Sequence, residues 1–429
     1  MNKHRAADVY GIGRDLPLNY VEREKVDHIF VENLTRDKHV VVFGSSKQGK
    51  TSLRKYALKD EDCVTVSCLN TMSLQNLHGM ILKAAGYRVE QSQVRTESGS
   101  LKAIVELGAE GGIPYIAKAK AKGGVEGSKS SEDKTETKRL EIDLSDVNDV
   151  ILALNEADFN KFIALEDFHY LPVETQRNFA FALKSFHENS KICFVIIGVW
   201  REENRLVYYN GDLTGRVISI DADGWSRTEL ADVIQKGESL LNIAIDENFK
   251  REILNHSFDA VYLVQEACLK ACEGSKVYET QDDLTTVGAG LDAKEIVKGI
   301  VDSQAGRYAA FINNFAEGFQ KTDLEMYKWL IFSVIASSEE ELEKGLRRGE
   351  ISTKIKKSHP EGATLNEGNV TQALQNASSL QVQKNIRPIV IDYDQTTRVL
   401  HIVDRSFLIW LAHQDRTELL AELGIGWPD

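Results

Sequence analysis

Residues 39–54 read H-V-V-V-F-G-S-S-K-Q-G-K-T-S-L-R, and this stretch decides the fold. His39 to Phe43 is a short uninterrupted apolar run, with charge before it and Gly44 after it. Such a run reads as a strand buried on both faces, the kind found in parallel sheets. Gly44 to Thr51 then fits G-x-x-x-x-G-K-[ST] at every fixed position. Glycines at those places let backbone N–H groups approach phosphate oxygens. The helix opening at Thr51 adds the positive end of its dipole. Gly44, Ser45, Ser46, Lys47, Gln48, Gly49, Lys50, Thr51 and Ser52 are therefore expected to cradle a nucleotide's phosphates. Lys50 would reach the β and γ phosphates, and the Thr51 hydroxyl would ligate Mg²⁺.

Working outward, further apolar runs lie at Val64–Cys68, Phe162–Leu165, Ile192–Ile197 and Val217–Ile220. Helical patterns fall between them, at about 50–58, 73–85, 145–156 and 173–189. Strands alternating with helices predict an α/β fold with a parallel sheet and right-handed crossovers. A phosphate loop needs an acidic partner at a neighbouring strand end. F-I-A-L-E-D, Phe162 to Asp167, supplies Glu166 and Asp167. One carboxylate would hold Mg²⁺ with Thr51, and the other would polarise the attacking water. The sequence leaves open which does which.

The whole chain has 429 residues, too many for one average domain. Its 42% hydrophobic and 27% charged residues exclude a wholly disordered or collagen-like chain. The net charge of −13 repels nucleic acid overall, so any DNA contact needs a local basic patch. The cysteines Cys63, Cys68, Cys193, Cys268 and Cys272 form no C-x-x-C pair and read as free thiols of a reducing compartment. The N-terminal residues lack the apolar core of a signal peptide, and no run is long enough to span a membrane. A cytoplasmic location without membrane contact is the expectation.

G-S-S-K-Q-G-K-T, F-I-A-L-E-D, the strand K-I-C-F-V-I-I-G at 191–198 and N-G-D-L-T-G-R-V ending at Val217 resemble the AAA+ and STAND class of P-loop ATPases. The resemblance covers about residues 15–275. It implies ATP and Mg²⁺ as cofactors, hydrolysis of the γ-phosphate, and a homo-oligomer. It also implies a strand lying between those of the two main motifs. An Arg before the last strand acts across a subunit interface in that class, and Arg216 stands at that place. Arg201 and Arg205 compete for the role. A polar sensor residue after the 191–198 strand is not evident, since Gly198-Val199-Trp200 follows, and Asn204 is the nearest substitute. His169 in D-F-H-Y reads as a structural histidine, with relay of the nucleotide state as the alternative.

The expected organisation is an ATPase core over 1–222 with an insertion at about 88–140, a helical lid over 223–295, and a winged-helix-like domain over 296–429. Within the insertion, Leu101–Leu107 and Ile113–Ala119 predict a glycine-linked hairpin, and 120–138 a polar, mobile segment bearing Lys120 and Lys122. Residues 275–293 are turn-rich and predict a boundary. Helices at about 323–337, 350–358 and 367–380 precede strands Arg387–Tyr393 and Arg398–Val403, joined by D-Q-T-T. This is the outline of a winged helix, and the C-terminal part resembles that of origin-recognition and archaeal-type ATPases. Lys344, Arg347, Arg348, Lys354, Lys356 and Lys357 make a local basic patch for duplex DNA, set against Glu350 alone.

The leading expectation is an oligomeric, DNA-associated ATPase switch or loader. The alternative is an ATP-driven protein-interaction switch of a bacterial conflict (anti-phage defence) system, recruiting an effector protein without binding DNA. A third is a chain that binds nucleotide structurally.

Overall fold

The computed structural model describes residues 3–95, 101–107 and 139–427. Its strands, in chain order, begin with β1 (His39–Phe43), β2 (Cys63–Ser67), β3 (Tyr87–Arg95), β4 (Leu101–Leu107) and β5 (Arg139–Ile142). They continue with β6 (Phe162–Glu166), β7 (Phe194–Ile197) and β8 (Val217–Asp221). The central sheet is entirely parallel, in the order β2-β6-β7-β1-β8. β7 thus runs between the strand of the phosphate loop and the strand of the acidic pair.

Pleating explains why the strands read as continuous apolar runs. Val41 and Phe43 of β1, with Phe194 and Ile196 of β7, face one core, shared with helices Leu74–Ala84, Val147–Glu156 and Val173–Asn189. Val40 and Val42, with Val195 and Ile197, face the other, where Phe30 and Leu53 pack. Each central residue is buried whichever way it points. The edge strands β2 and β8 are only partly buried, and their sequences are correspondingly more polar.

β3, β4 and β5 form a separate antiparallel sheet with β4 in the middle. The expected partner of Leu101–Leu107 is therefore replaced. The strand pairs with Tyr87–Arg95 and Arg139–Ile142, while Ile113–Ala119 and the segment 120–138 lie outside the described residues. The missed signal is the alternation in Y-R-V-E from Tyr87, whose ring is buried and whose hydroxyl donates to the Ala153 carbonyl at 2.6 Å.

Beyond the sheet, helices Arg227–Leu241, Glu247–His256 and Val261–Gly274 occupy the segment expected to be a lid. β9 (Ile243–Ile245) and β10 (Thr285–Val287) pair in parallel, so the turn-rich 275–293 segment returns into the lid rather than leaving it. The short helix Ala6–Val9 packs there too: buried Tyr10 donates to the Ile234 carbonyl at 2.8 Å. In the C-terminal part, helices Arg348–Ser358, Glu367–Gln375 and Ala377–Gln383 precede β12 (Ile391–Asp394) and β13 (Val399–Ile402). These two form a hairpin, and the two-residue strand β11 (Leu346–Arg347) pairs with β13. The single helix expected over 367–380 is broken at Asn376. β12 starts later than expected because Pro388 has no N–H for a ladder.

Candidate nucleotide cleft

The loop after β1 is bent by the backbone its glycines allow. Gly44 has φ +139° and Gly49 has φ +84°, and a Cβ on Gly44 would lie 3.0 Å from Asp223 Oδ1. Gly49 caps helix Lys50–Ala57, whose first N–H groups point back into the loop. The cleft is lined by residues 46–52, Glu166, Asp167, Gly198 and Val199. Helix Val261–Gly274 supplies Val261, Tyr262 and Gln265, and the N-terminal segment supplies Gly11 to Gly13, Asp15 and Pro17.

Lys50 is buried and donates to the carbonyls of Gly44 (3.0 Å) and Ser45. Burial lowers its ammonium to about 8, against the upward pull of Asp223, Asp167 and Glu166. The Thr51 hydroxyl donates to Glu166 Oε2 at 3.0 Å, and the guanidinium of buried Arg54 holds Oε1 of the same carboxylate at 3.2 Å. Burial raises the Glu166 carboxyl, while Arg54 and the Thr51 hydrogen bond pull it down. Asp167 stands at the strand exit with φ +58°, exposed on the cleft side. Burial raises its carboxyl, and Lys50 and Arg387 lower it.

These residues fit a magnesium ion. Octahedral Mg–O bonds of about 2.1 Å put neighbouring ligands about 3 Å apart, the spacing of Thr51 Oγ1 and Glu166 Oε2. Among the described residues no group of three His, Cys, Asp or Glu side chains is placed to hold a metal. Mg²⁺ characteristically keeps several waters and takes phosphate oxygens as further ligands.

Several supporting residues escaped the sequence reading. Asp223, just past β8, is buried and accepts from the Ser45 N–H (2.7 Å) and hydroxyl (2.6 Å). Arg201 pairs with Asp223, and Arg405 lies 4.0 Å from it. Trp225 donates to the Gln48 carbonyl at 3.3 Å. Lys47 lies over the Tyr262 ring, 3.8 Å from its centroid. The Ser46 N–H donates to the Val403 carbonyl at 2.7 Å, so the C-terminal part touches the loop itself. The motif carries no signal for these partners, because they come from distant segments.

The other sequence candidates disperse. Arg216 precedes β8 at the sheet end opposite the loop, paired with Glu188 at 2.9 Å. A five-residue strand separates the two ends by roughly 17 Å, so within one chain Arg216 does not reach the cleft. Arg205 cannot compete for that role: it is buried, with both oxygens of Asp392 at 2.7 and 2.8 Å. Asn204 precedes the short helix Arg205–Tyr209 and does not line the cleft. His169 does not line it either; its Nδ1 accepts from the Val199 N–H at 3.2 Å. In the basic patch, Lys344 pairs with Glu340 (2.6 Å), Lys354 with Glu341 (3.0 Å), and Lys356 with Glu367. Arg348 lies 4.0 Å from Glu367. Folding therefore brings carboxylates to at least four of the six cations, which the local count against Glu350 did not anticipate.

No protein-family model matches this chain, and no curated protein does either. Solved structures do resemble it. The Walker-type ATPase of Pyrococcus abyssi shares 12% identity at a TM-score of 0.48, covering 92% of this chain and 96% of that one. The Aeropyrum pernix ORC1 protein, solved in complex with DNA, shares 11% at 0.43, covering 98% of each. A signal-transduction ATPase with numerous domains from Pyrococcus horikoshii, bearing a tetratricopeptide-repeat sensor, shares 12% at 0.36, covering 94% of this chain and 44% of that one. The α/β P-loop fold of this chain stands on its own sheet order and loop.

Proposed function

We propose that this protein is a Mg²⁺-dependent P-loop ATPase that works as a nucleotide-controlled switch. The observation that carries the reading is the convergence, in one cleft, of the 46–52 loop, buried Lys50 and the Thr51–Glu166 pair. Lys50 and the loop N–H groups bind the β and γ phosphates, and Thr51 and Glu166 hold the metal. Magnesium supplies charge neutralisation on the phosphate oxygens. Asp167, free of the Thr51–Arg54 network, orients the attacking water and takes its proton. The question the sequence leaves open is answered in this reading by burial: the buried acid serves the metal and the exposed one the water. Arg216 acts on the nucleotide of a neighbouring copy, which makes the active form a homo-oligomer.

Control by the C-terminal part is the favoured output, because Val403 bonds to Ser46 and Arg405 lies near Asp223 beneath the loop. Protein-partner signalling follows as the first reading. DNA association through a winged-helix-like C-terminal part is the second, weakened by the carboxylates that meet the basic patch. The test is ATP binding and turnover with and without Mg²⁺ and duplex DNA, for the wild type and Lys50→Ala. Mg²⁺-dependent binding lost in Lys50→Ala supports the ATPase, and equal binding in both removes it. Six free cations would give a log–log salt slope of about −5 for DNA. A slope that steep would restore the DNA reading.

A further inference from the structure

Two consecutive residues of the phosphate loop are held from outside the α/β core. The Ser46 N–H donates to the Val403 carbonyl at 2.7 Å. The Lys47 ammonium sits over the Tyr262 ring, 3.8 Å from its centroid, and lies 3.5 Å from Gln304 Oε1. Tyr262 belongs to helix Val261–Gly274, and Gln304 caps the start of helix Ala305–Ala316. The two holds belong to one network. The Gln304 amide donates to the Tyr262 hydroxyl at 3.0 Å, and its oxygen accepts from Arg307 at 3.2 Å. Arg307 pairs in turn with Asp404, the neighbour of Val403 and the N-cap of helix Arg405–Ala412.

This seat is a poor one for an ammonium. Among the described residues Lys47 forms no ion pair with a carboxylate. Its contact with Gln304 is long, and the same oxygen serves a second cation, Arg307. A cation over an aromatic face at an exposed site is worth a factor of roughly two to five in a binding constant. A charge-assisted hydrogen bond to a phosphate oxygen is stronger. Lys47 is exposed, its stem is flexible, and both it and Tyr262 line the nucleotide cleft. Phosphates in that cleft therefore compete with the Tyr262 ring for one ammonium.

We propose that Lys47 is a nucleotide-sensing residue: resting on the ATPase reading of the cleft, its ammonium leaves Tyr262 for the phosphates of bound ATP and frees helix Val261–Gly274 and Gln304 from the loop. The coupling is reciprocal. Whatever the Tyr262 seat contributes to holding Lys47 is subtracted from the affinity for ATP. Loss of the seat and loss of the ammonium consequently act in opposite directions, whereas a merely structural contact would give both the same sign.

The experiment is calorimetric titration of the full chain with ATP-Mg²⁺, for wild type, Lys50→Ala, Lys47→Met, Tyr262→Leu and the Lys47→Met/Tyr262→Leu double variant. Lys47→Met keeps an unbranched stem without the charge and should weaken ATP about tenfold. Tyr262→Leu should strengthen it roughly two- to fivefold. The double variant should match Lys47→Met, because the ring acts only through the ammonium. Weaker ATP binding in Tyr262→Leu would assign the ring to the nucleotide itself and overturn the proposal. So would Lys47→Met binding within twofold of wild type. If Tyr262→Leu fails to fold, the signal of the ¹³C-labelled Lys47 ε-methylene, identified by its loss in Lys47→Met, decides. Ring current displaces it in the free protein; it must return to the ordinary lysine range on saturation with ATP, and an unmoved signal overturns the proposal. No ATP binding by wild type, or equal binding by Lys50→Ala, sinks the ATPase reading and this inference together. ATP held through Lys50 but indifferent to Lys47 sinks the inference alone.

Discussion

Asp223→Ala probes the support of the phosphate loop most directly. The carboxylate is buried and accepts two hydrogen bonds from Ser45, at 2.7 and 2.6 Å, while pairing with Arg201. Removing one member of a buried charged pair costs about 3–5 kcal/mol. Arg201 retains Asp221 at 3.2 Å, which favours the lower end. At about 2–4 °C per kcal/mol for a unit of the size of the α/β core, the melting temperature should fall by roughly 6–12 °C. Asp223→Asn keeps an acceptor for the Ser45 N–H and should lose about half as much. ATP binding should weaken in the same order, because Gly44 and Ser45 are released from the geometry that Asp223 imposes. Calorimetric melting of the three proteins, with and without ATP-Mg²⁺, reads both effects. A melting temperature for Asp223→Ala within about 2 °C of wild type would refute the reasoning, since an unpaired buried network cannot be that cheap.

Other expectations concern the cleft. Lys50 titrates near 8 when no phosphate is bound, and a bound phosphate must raise that value. Affinity for ATP should therefore be flat below about pH 8 and fall by up to tenfold per unit above it, whereas Lys50→Arg should show no such fall; isothermal titration from pH 6.5 to 9.5 measures it. Arg54→Ala removes the cation that holds Glu166 ionised, so the carboxyl should rise further and the Mg²⁺ midpoint for ATP binding should shift upward about tenfold, most at acid pH. Arg54→Lys should recover part of this, and an unchanged midpoint would deny Arg54 a positioning role. Arg216→Ala and Lys50→Ala, each inactive alone, should recover turnover when mixed if Arg216 serves a neighbour's nucleotide; a mixture as inactive as its parts would show that it does not.

The phosphate loop, the acidic pair and the parallel sheet were legible in the sequence because each is local. The glycine spacing dictates a bend, and burial on both faces leaves a continuous apolar run that no amphipathic element imitates. The helices between Arg227 and Gly274 and the C-terminal hairpin followed from periodicity for the same reason. The exceptions are instructive. Leu101–Leu107 was recognised as a strand but paired wrongly, since register and partner depend on which alternating segments tertiary packing brings alongside. The 344–357 cations read as a free patch because Glu340, Glu341 and Glu367 reach them only across helix turns and between helices.

What the sequence determined by itself was the set of groups at the cleft: a glycine-bounded loop, a lysine, a threonine hydroxyl and two carboxylates. Which of the two carboxylates meets Thr51 and Arg54 was decided by the fold: it is Glu166, not Asp167. So was the anchoring of the loop by Asp223 and by Val403, residues about 180 and 360 positions away. Covalent spacing constrains only near neighbours. Contacts between distant segments exist once burial of the two sheet faces has paid the entropy of bringing them together.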